Sequence, residues 1–320
     1  MKKIVLSALA LLTFCSAFAQ QDPQFTMNMF NKLAVNPAFA GARNSICASV
    51  LVREQWMGFE GNPSTNVFNG DGAFTYKEKQ FGAGLTLIQD EIGPINSLNV
   101  KMSFAYHHRI KQGMLSVGIA PGIFNQSISA DWRTSEGNFD GTEDPSIPNS
   151  EAGATQFDLG FGLYYYTRDL YVGVSSTHLN QPEINDSPDD NSSYVFNQVR
   201  HYYIMAGYNY PVNVGAAEIE LQPSLFVKSD AVNTQVDINV NALYNNLFWG
   251  GVTYRLEDAV ALLAGLYVPK VDGLKVGMAY DYNISDLGDY NDGSLEFLLS
   301  YCMPINKKPK LERYKSVRFL

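Results

Sequence analysis

Residues 98–110 read LNVKMSFAYHHRI. Every second residue is large and apolar or aromatic: Leu98, Val100, Met102, Phe104, Tyr106 and Ile110, with His108 the one break. The other set is Asn99, Lys101, Ser103, Ala105, His107 and Arg109, all small, polar or cationic. A period of two means an extended strand with two unlike faces. A soluble sandwich would hide the apolar face in a core. A membrane barrel would turn it to lipid and keep the polar face in its lumen.

Composition is compatible with either. The chain has 320 residues, 46% of them hydrophobic, and 13% are aromatic with 19 Tyr and 19 Phe. Beyond the first residues no run reaches the roughly 18 apolar residues a spanning helix needs. A barrel gives a mild average hydropathy because lipid-facing and lumen-facing residues cancel. The N-terminus reads as a secretory signal over 1–19: Lys2 and Lys3, an apolar run from Ile4 to Phe14, then Ala17-Phe18-Ala19. Cleavage there removes two lysines and leaves 21 basic against 32 acidic residues, a net −11. So acidic a chain has no nucleic-acid partner in this reading.

Alternation bounded by turn residues predicts fourteen strands: near 45–53, 65–77, 81–89, 97–110, 114–124, 156–166, 170–179, 201–210, 217–228, 234–244, 247–256, 259–268, 274–284 and 294–303. Boundary errors allow twelve to sixteen. Brief connections such as Glu78-Lys79-Gln80 and Lys111-Gln112-Gly113 fall at even places. The longest, 54–64, 125–155, 180–200 and 285–293, fall at odd ones, with short Glu257-Asp258 the exception. An outer-membrane barrel sorts its loops this way, tight turns facing the periplasm, whereas a Greek-key sandwich has no reason to. Closure follows from lipid offering no hydrogen bonds, so every backbone group pairs inside the sheet. Tyr106, Tyr164 to Tyr166, Tyr208, Tyr210, Tyr280 and Tyr282 suit interfacial girdles. The expectation is an all-β, closed antiparallel transmembrane barrel of about fourteen strands over 45–303, bathed in outer-membrane lipid. A segment 20–44 precedes it and a basic tail 304–320 follows.

Two cysteines survive signal cleavage, Cys47 in the first strand and Cys302 in the last. Those strands are neighbours in a closed ring, so a disulfide is conceivable; register, which the sequence leaves open, decides it. The segment Asn36-Pro37-Ala38-Phe39-Ala40-Gly41 is turn-forming. It is either a plain lead into strand one or part of an element that plugs the lumen or reaches a partner.

The chain resembles the PorP/SprF family of the type IX secretion system of Bacteroidetes. The resemblance is carried by QDPQFTMNMFNKLAVNPAFAG at 21–41, REQWMGFEGNPST at 53–65, GLTLIQDEIGPIN at 84–96 and LSVGIAPGIF at 115–124. It continues with FDLGFGLYYYTRDLYVGVSSTHLNQP at 157–182, RHYYIMAGY at 200–208, LQPSLFVKS at 221–229, FWGGVTYR at 248–255, VGMAYDYNIS at 276–285 and GSLEFLLSY at 293–301. The chain departs from the family at Leu295-Glu296, where a His-Glu pair is usual, and in its basic tail. The resemblance implies an outer-membrane component supporting export or surface attachment of secreted proteins, including adhesins used in gliding. It also implies periplasmic and lipoprotein components of that system as partners and a secreted adhesin-type protein as substrate. The candidate plug or partner-contact residues are Asn36, Pro37, Phe39 and Gly41, with Trp56, Gly58 and Phe59 of the second motif.

Enzyme chemistry finds little footing. The four histidines, His107, His108, His178 and His201, accompany no G-x-S-x-G elbow, and His107 and His108 read as interfacial side chains. No C-x-x-C or Cys/His cluster marks a zinc site. The acidic stretches 139–145 and 186–191 lack the spacing of a calcium loop and read as solvated outer loops. No catalytic residue, cofactor or metal is expected. Alternate glycines at Gly82, Gly84, Gly160 and Gly162 make room in a lumen or a bend. The competing function class is a passive pore or small-molecule transporter, with Asn99, Lys101, Asp237, Asn239, Lys275 and Asp281 lining an aqueous path. The tail, with Lys307, Lys308, Lys310, Arg313, Lys315 and Arg318, is either a solvated end or a dock for an acidic periplasmic partner; pull-down with and without 306–320 separates these.

Overall fold

The computed structural model describes residues 22–129, 133–134, 137–138, 151–185, 195–215 and 217–305. The proposed signal, the basic tail beyond 305 and the two acidic stretches lie outside the described residues.

Fourteen antiparallel strands close a barrel: β1 (Ser45–Glu54), β2 (Ser64–Tyr76), β3 (Lys79–Ile92), β4 (Ile95–Ile110), β5 (Gly113–Ser129), β6 (Glu151–Tyr166), β7 (Leu170–Thr177), β8 (His201–Tyr208), β9 (Ala217–Ser229), β10 (Thr234–Tyr244), β11 (Phe248–Arg255), β12 (Ala259–Tyr267), β13 (Leu274–Asn283) and β14 (Ser294–Pro304). Each pairs with its sequence neighbours, and β14 pairs with β1 to complete the ring. β8 is interrupted at Asn209 and resumes as Tyr210–Val214, keeping the same register on β9 (Tyr202 opposite Ser229, Tyr210 opposite Leu221). Cys47 stands opposite Cys302 in the closing seam, and the two form a disulfide. Among the described residues no helix is long and apolar enough to cross a membrane.

The faces are inverted relative to a soluble fold. On β4, Met102 and Phe104 are 56% and 48% exposed, while Asn99, Lys101, Ser103, Ala105 and His107 are buried. Ile238, Val240, Leu262, Met278, Phe297 and Leu299 continue the outward apolar band on other strands. Exposed rings near the strand ends, among them Tyr76, Tyr208, Tyr210, Tyr244, Phe248, Tyr280 and Tyr282, supply both girdles. Tyr164 and Tyr166 do not join them: they occupy the inward set of β6, and Tyr164 is buried in the lumen. His107 likewise points inward, and only His108 faces out.

Six short connections lie at the end that carries both chain ends of the barrel. At the other end the connections are 55–63, 93–94, 130–150, 178–200, 230–233, 256–258 and 284–293. Three of these are short, against the single exception expected. Strands β3 to β6 run 14 to 17 residues, beyond the ~9–11 needed to cross hydrocarbon. The β3–β4 hairpin therefore projects past the membrane, and its reversal shrinks to Gly93-Pro94, with Gly93 in the left-handed region at φ +55°.

The core is not between layers but inside the ring. Phe25, Met27, Ala34, Val35 and Ala38 of the leading segment cluster with Leu51, Val67, Leu243, Trp249, Leu263 and Leu298 of the inner wall. The centre of the lumen is thus filled by apolar side chains of the leading segment and the wall, within the polar inner face that alternation predicted.

Candidate functional site

Residues 22–44 run through the lumen as three short turns: a 3-10 turn Asn28–Phe30, a single helical turn α1 (Lys32–Val35) and a 3-10 turn Pro37–Phe39. None could hold its shape alone, because a four-residue helix is far below the length that is stable in water. The wall supplies what the segment lacks.

The NPAFAG motif is fixed by its own chemistry and by glycines opposite it. The Asn36 side chain accepts from Ala38 N at 3.0 Å and donates to Leu163 O at 3.1 Å. Pro37 starts the next turn, where a missing N–H costs nothing. Gly162, Gly118 and Gly82, on β6, β5 and β3, let this backbone lie against the wall. A Cβ at Gly162 would overlap Asn36 Oδ1, at Gly118 the Pro37–Ala38 peptide, and at Gly82 Ala40 O. Gly41 has φ +74° and crosses directly over Gly82, so its lack of a side chain is required twice. Gly41 N donates to Asp71 at 2.9 Å, Lys101 Nζ donates to Ala34 O at 2.9 Å, and His107 Nε2 meets Ala40 O at 2.9 Å. Phe39 packs edge-on against Tyr164, with ring centroids 5.5 Å apart.

Nearer the long-loop end a buried charge network grips Thr26. Arg53 pairs with Asp281 at 2.8 Å and Glu296 at 3.0 Å; Arg255 pairs with Asp237 at 3.2 Å and Asp281 at 3.1 Å. Glu296 also accepts Thr26 N and Met27 N, both at 2.8 Å, and the Thr26 hydroxyl donates to Asp281. Buried charges persist when paired and hydrogen-bonded, and here the plug's backbone supplies two of the bonds to Glu296.

A second node surrounds Asp22. Its carboxylate accepts His178 Nε2 at 3.0 Å, Thr177 Oγ1 at 3.0 Å and the Tyr203 hydroxyl; its amide donates to His201 Nε2 at 3.1 Å, and its carbonyl accepts Lys228 Nζ at 2.9 Å. Burial opposes the Asp22 charge, but His201 and His178 outweigh it and hold the carboxyl well below the usual range. Burial also opposes the His178 cation, yet Asp22 and Asp158, whose Oδ1 lies 3.1 Å from Nδ1, raise it to about 9. Both ring nitrogens face carboxylates, so neither is left to deprotonate a hydroxyl nucleophile. Among the described residues no group of three or more His, Cys, Asp or Glu is arranged to hold a metal.

The plug divides the lumen. A chamber of about 880 Å³ lies toward the long loops, lined by Phe25, Val35, Trp56, Phe124 and His178 among others. A smaller one of about 250 Å³ lies at the short-turn end, beside Phe39 and Arg43.

The structure brings Asn36, Pro37, Phe39 and Gly41 together in the plug. It does not bring the second motif to them. Trp56 lines the outer chamber; Gly58 lies against Asp292, and Phe59 is 43% exposed in the 55–63 loop. That loop is tied to the 284–293 loop by Met57 N to Gly293 O and Asp292 N to Met57 O. Asp237 and Asp281, expected to line open water, instead anchor the plug. Residues that carry the site and were not singled out are Asp22, Arg53 and Arg255; Glu296 was noted only within the Leu295-Glu296 departure, with no role in the site. The available signal was a buried-set charge on strands that turn out to be neighbours: Arg53 stands directly opposite Glu296 in the closing seam.

A family model described as type IX secretion system membrane protein PorP/SprF matches residues 17–301. No curated protein matches the chain. Among solved structures, the "CymD monoaromatic hydrocarbon channel" superposes with TM-score 0.52 at 9% identity, over 87% of this chain and 93% of that one. A FadL homologue from Pseudomonas aeruginosa gives 0.45 at 10% identity, covering 90% and 96%. The toluene transporter TbuX from Ralstonia pickettii gives 0.43 at 12% identity, covering 84% and 92%. At these identities only the first likeness carries weight, and it supports the outer-membrane barrel fold.

Proposed function

Since the chain belongs to the PorP/SprF family of type IX secretion system membrane proteins, we propose that it is a plugged, non-enzymatic outer-membrane scaffold. It supports export or surface attachment of secreted proteins, including adhesin-type substrates, and it works with periplasmic and lipoprotein components of the same system. One observation carries this reading: residues 22–44 are bonded across the lumen by the Glu296–Arg53–Asp281 network and the Asp22 node. A barrel so filled suits assembly and docking better than diffusion. Deletion of the gene is expected to abolish secretion or surface display of the system's substrates. A deletion strain with an unchanged secreted fraction and unchanged surface adhesin would sink the export role.

The outer chamber of about 880 Å³, with apolar and polar walls, favours a second reading, a small-molecule transporter. A planar bilayer separates the two. The scaffold predicts silence from the intact protein, and steady conductance supports the transporter.

A further inference from the structure

The small chamber at the short-turn end holds two lysines that no described residue neutralises. Lys32 of the plug and Lys275 of β13 both line it. Lys32 Nζ sits 3.3 Å from the centroid of the Tyr171 ring and 5.6 Å from that of Phe39. Lys275 Nζ sits 3.5 Å from the Phe30 centroid and 5.8 Å from that of Tyr267. Neither ammonium makes a hydrogen bond or ion pair with any described residue. Arg43 is paired with Asp71; Arg168 and Asp169 also line the chamber, and Asp169 forms no ion pair with either lysine. Both lysines are half-buried, whereas the fully buried cations of the lumen, Arg53, Arg255, Lys101 and Lys228, each have oxygen partners. Ring faces attract an ammonium but do not replace its lost hydration as an anion does.

We propose that this chamber is a binding site for a carboxylate carried on a small apolar body, such as the acidic end of a peptide, seated between Lys32 and Lys275. The walls choose this chemistry. Two ammoniums supply the charge, while Met29 and the rings of Phe30, Phe39, Tyr164 and Tyr171 supply apolar contact that a bare mineral anion would waste. About 250 Å³ is the space of roughly eight liquid waters, which admits one short side chain with its carboxylate and no folded element. The site opens at the end of the short turns, away from the outer chamber, and its existence does not depend on the export role.

N-acetylleucine is the probe, titrated by calorimetry into the mature protein in neutral detergent at constant ionic strength. Saturable binding is expected, with N-acetylleucinamide, which lacks the carboxylate, silent and inorganic phosphate weaker. Lys32→Met together with Lys275→Met should weaken binding about tenfold or more, the loss of charge-assisted bonds. Lys275→Met alone, which leaves the plug's own residues intact, should weaken it in the same direction. Absence of saturable binding, equal binding of the amide, phosphate binding as tight as the probe, or unaltered binding in both variants would overturn the assignment.

Discussion

Glu296 sits at the most constrained point of the molecule, fully buried and accepting two plug amides while it pairs with Arg53. Glu296→Gln keeps the shape and removes the charge, leaving Arg53 to Asp281 alone. Breaking one partner of a buried pair costs about 3–5 kcal/mol. We expect residues 22–44 to become protease-sensitive in a barrel that still migrates as folded; a resistant segment would show that Glu296 does not hold the plug. Asp22 and His178 give the plug a pH window. The His178 imidazolium, raised to about 9 from an ordinary value of ~6.5, contributes stability that is fully present below ~6.5 and lost as pH rises through about 9. The Asp22 carboxylate, held low, contributes stability above ~3.9 that is lost on acidification. Thermal midpoints should therefore fall between pH 6.5 and 10, and the slope should flatten in His178→Ala. These roles were hidden in the sequence because His178 and Asp22 lie 156 positions apart. Glu296 was noticed only for the residue before it, since alternation reports a side chain's face and not its partner.

At the scale of elements, strand alternation predicted all fourteen strands and the outward set on β4. It erred where inward residues are aromatic: Tyr164 and Tyr166 look like girdle rings until the plug brings Phe39 against Tyr164 and β4 brings His107 against Tyr166. It also placed a longer loop around Gly93, because strand length beyond the membrane leaves no mark in hydropathy. The glycines were legible as room in a lumen; what fills the room was not. Gly162→Ala tests the fit directly. Its methyl would overlap Asn36 Oδ1, so the NPAFAG turn should detach while the barrel persists. Preserved protease resistance of 22–44 would contradict the close approach. The Cys47–Cys302 disulfide closes a loop of 255 residues at a seam already hydrogen-bonded along ten residue pairs. Reduction should leave the native barrel intact and lower its resistance to denaturant by up to ~5 kcal/mol, mainly through the unfolded chain.

For the whole molecule, closure and inversion belong together: a ring without edges is what lets an apolar face meet lipid. The plug then converts what would be a fourteen-stranded pore into a filled scaffold. A variant lacking residues 22–44 should conduct in a planar bilayer where the full-length protein is silent; two silent proteins would mean the wall closes without the plug. That an N-terminal segment precedes the barrel was visible in the sequence. That it plugs the lumen was one of two readings the sequence left open; its path there was not legible, because the contacts that place it are spread over many strands. The most direct test of the inverted, plugged barrel is a spin-label scan of residues 98–110, one site at a time, in proteoliposomes. High oxygen accessibility is expected at Leu98, Val100, Met102, Phe104 and Tyr106, alternating with low accessibility and restricted motion at Asn99, Lys101, Ser103, Ala105 and His107. Uniform accessibility, or the opposite phase, would contradict it.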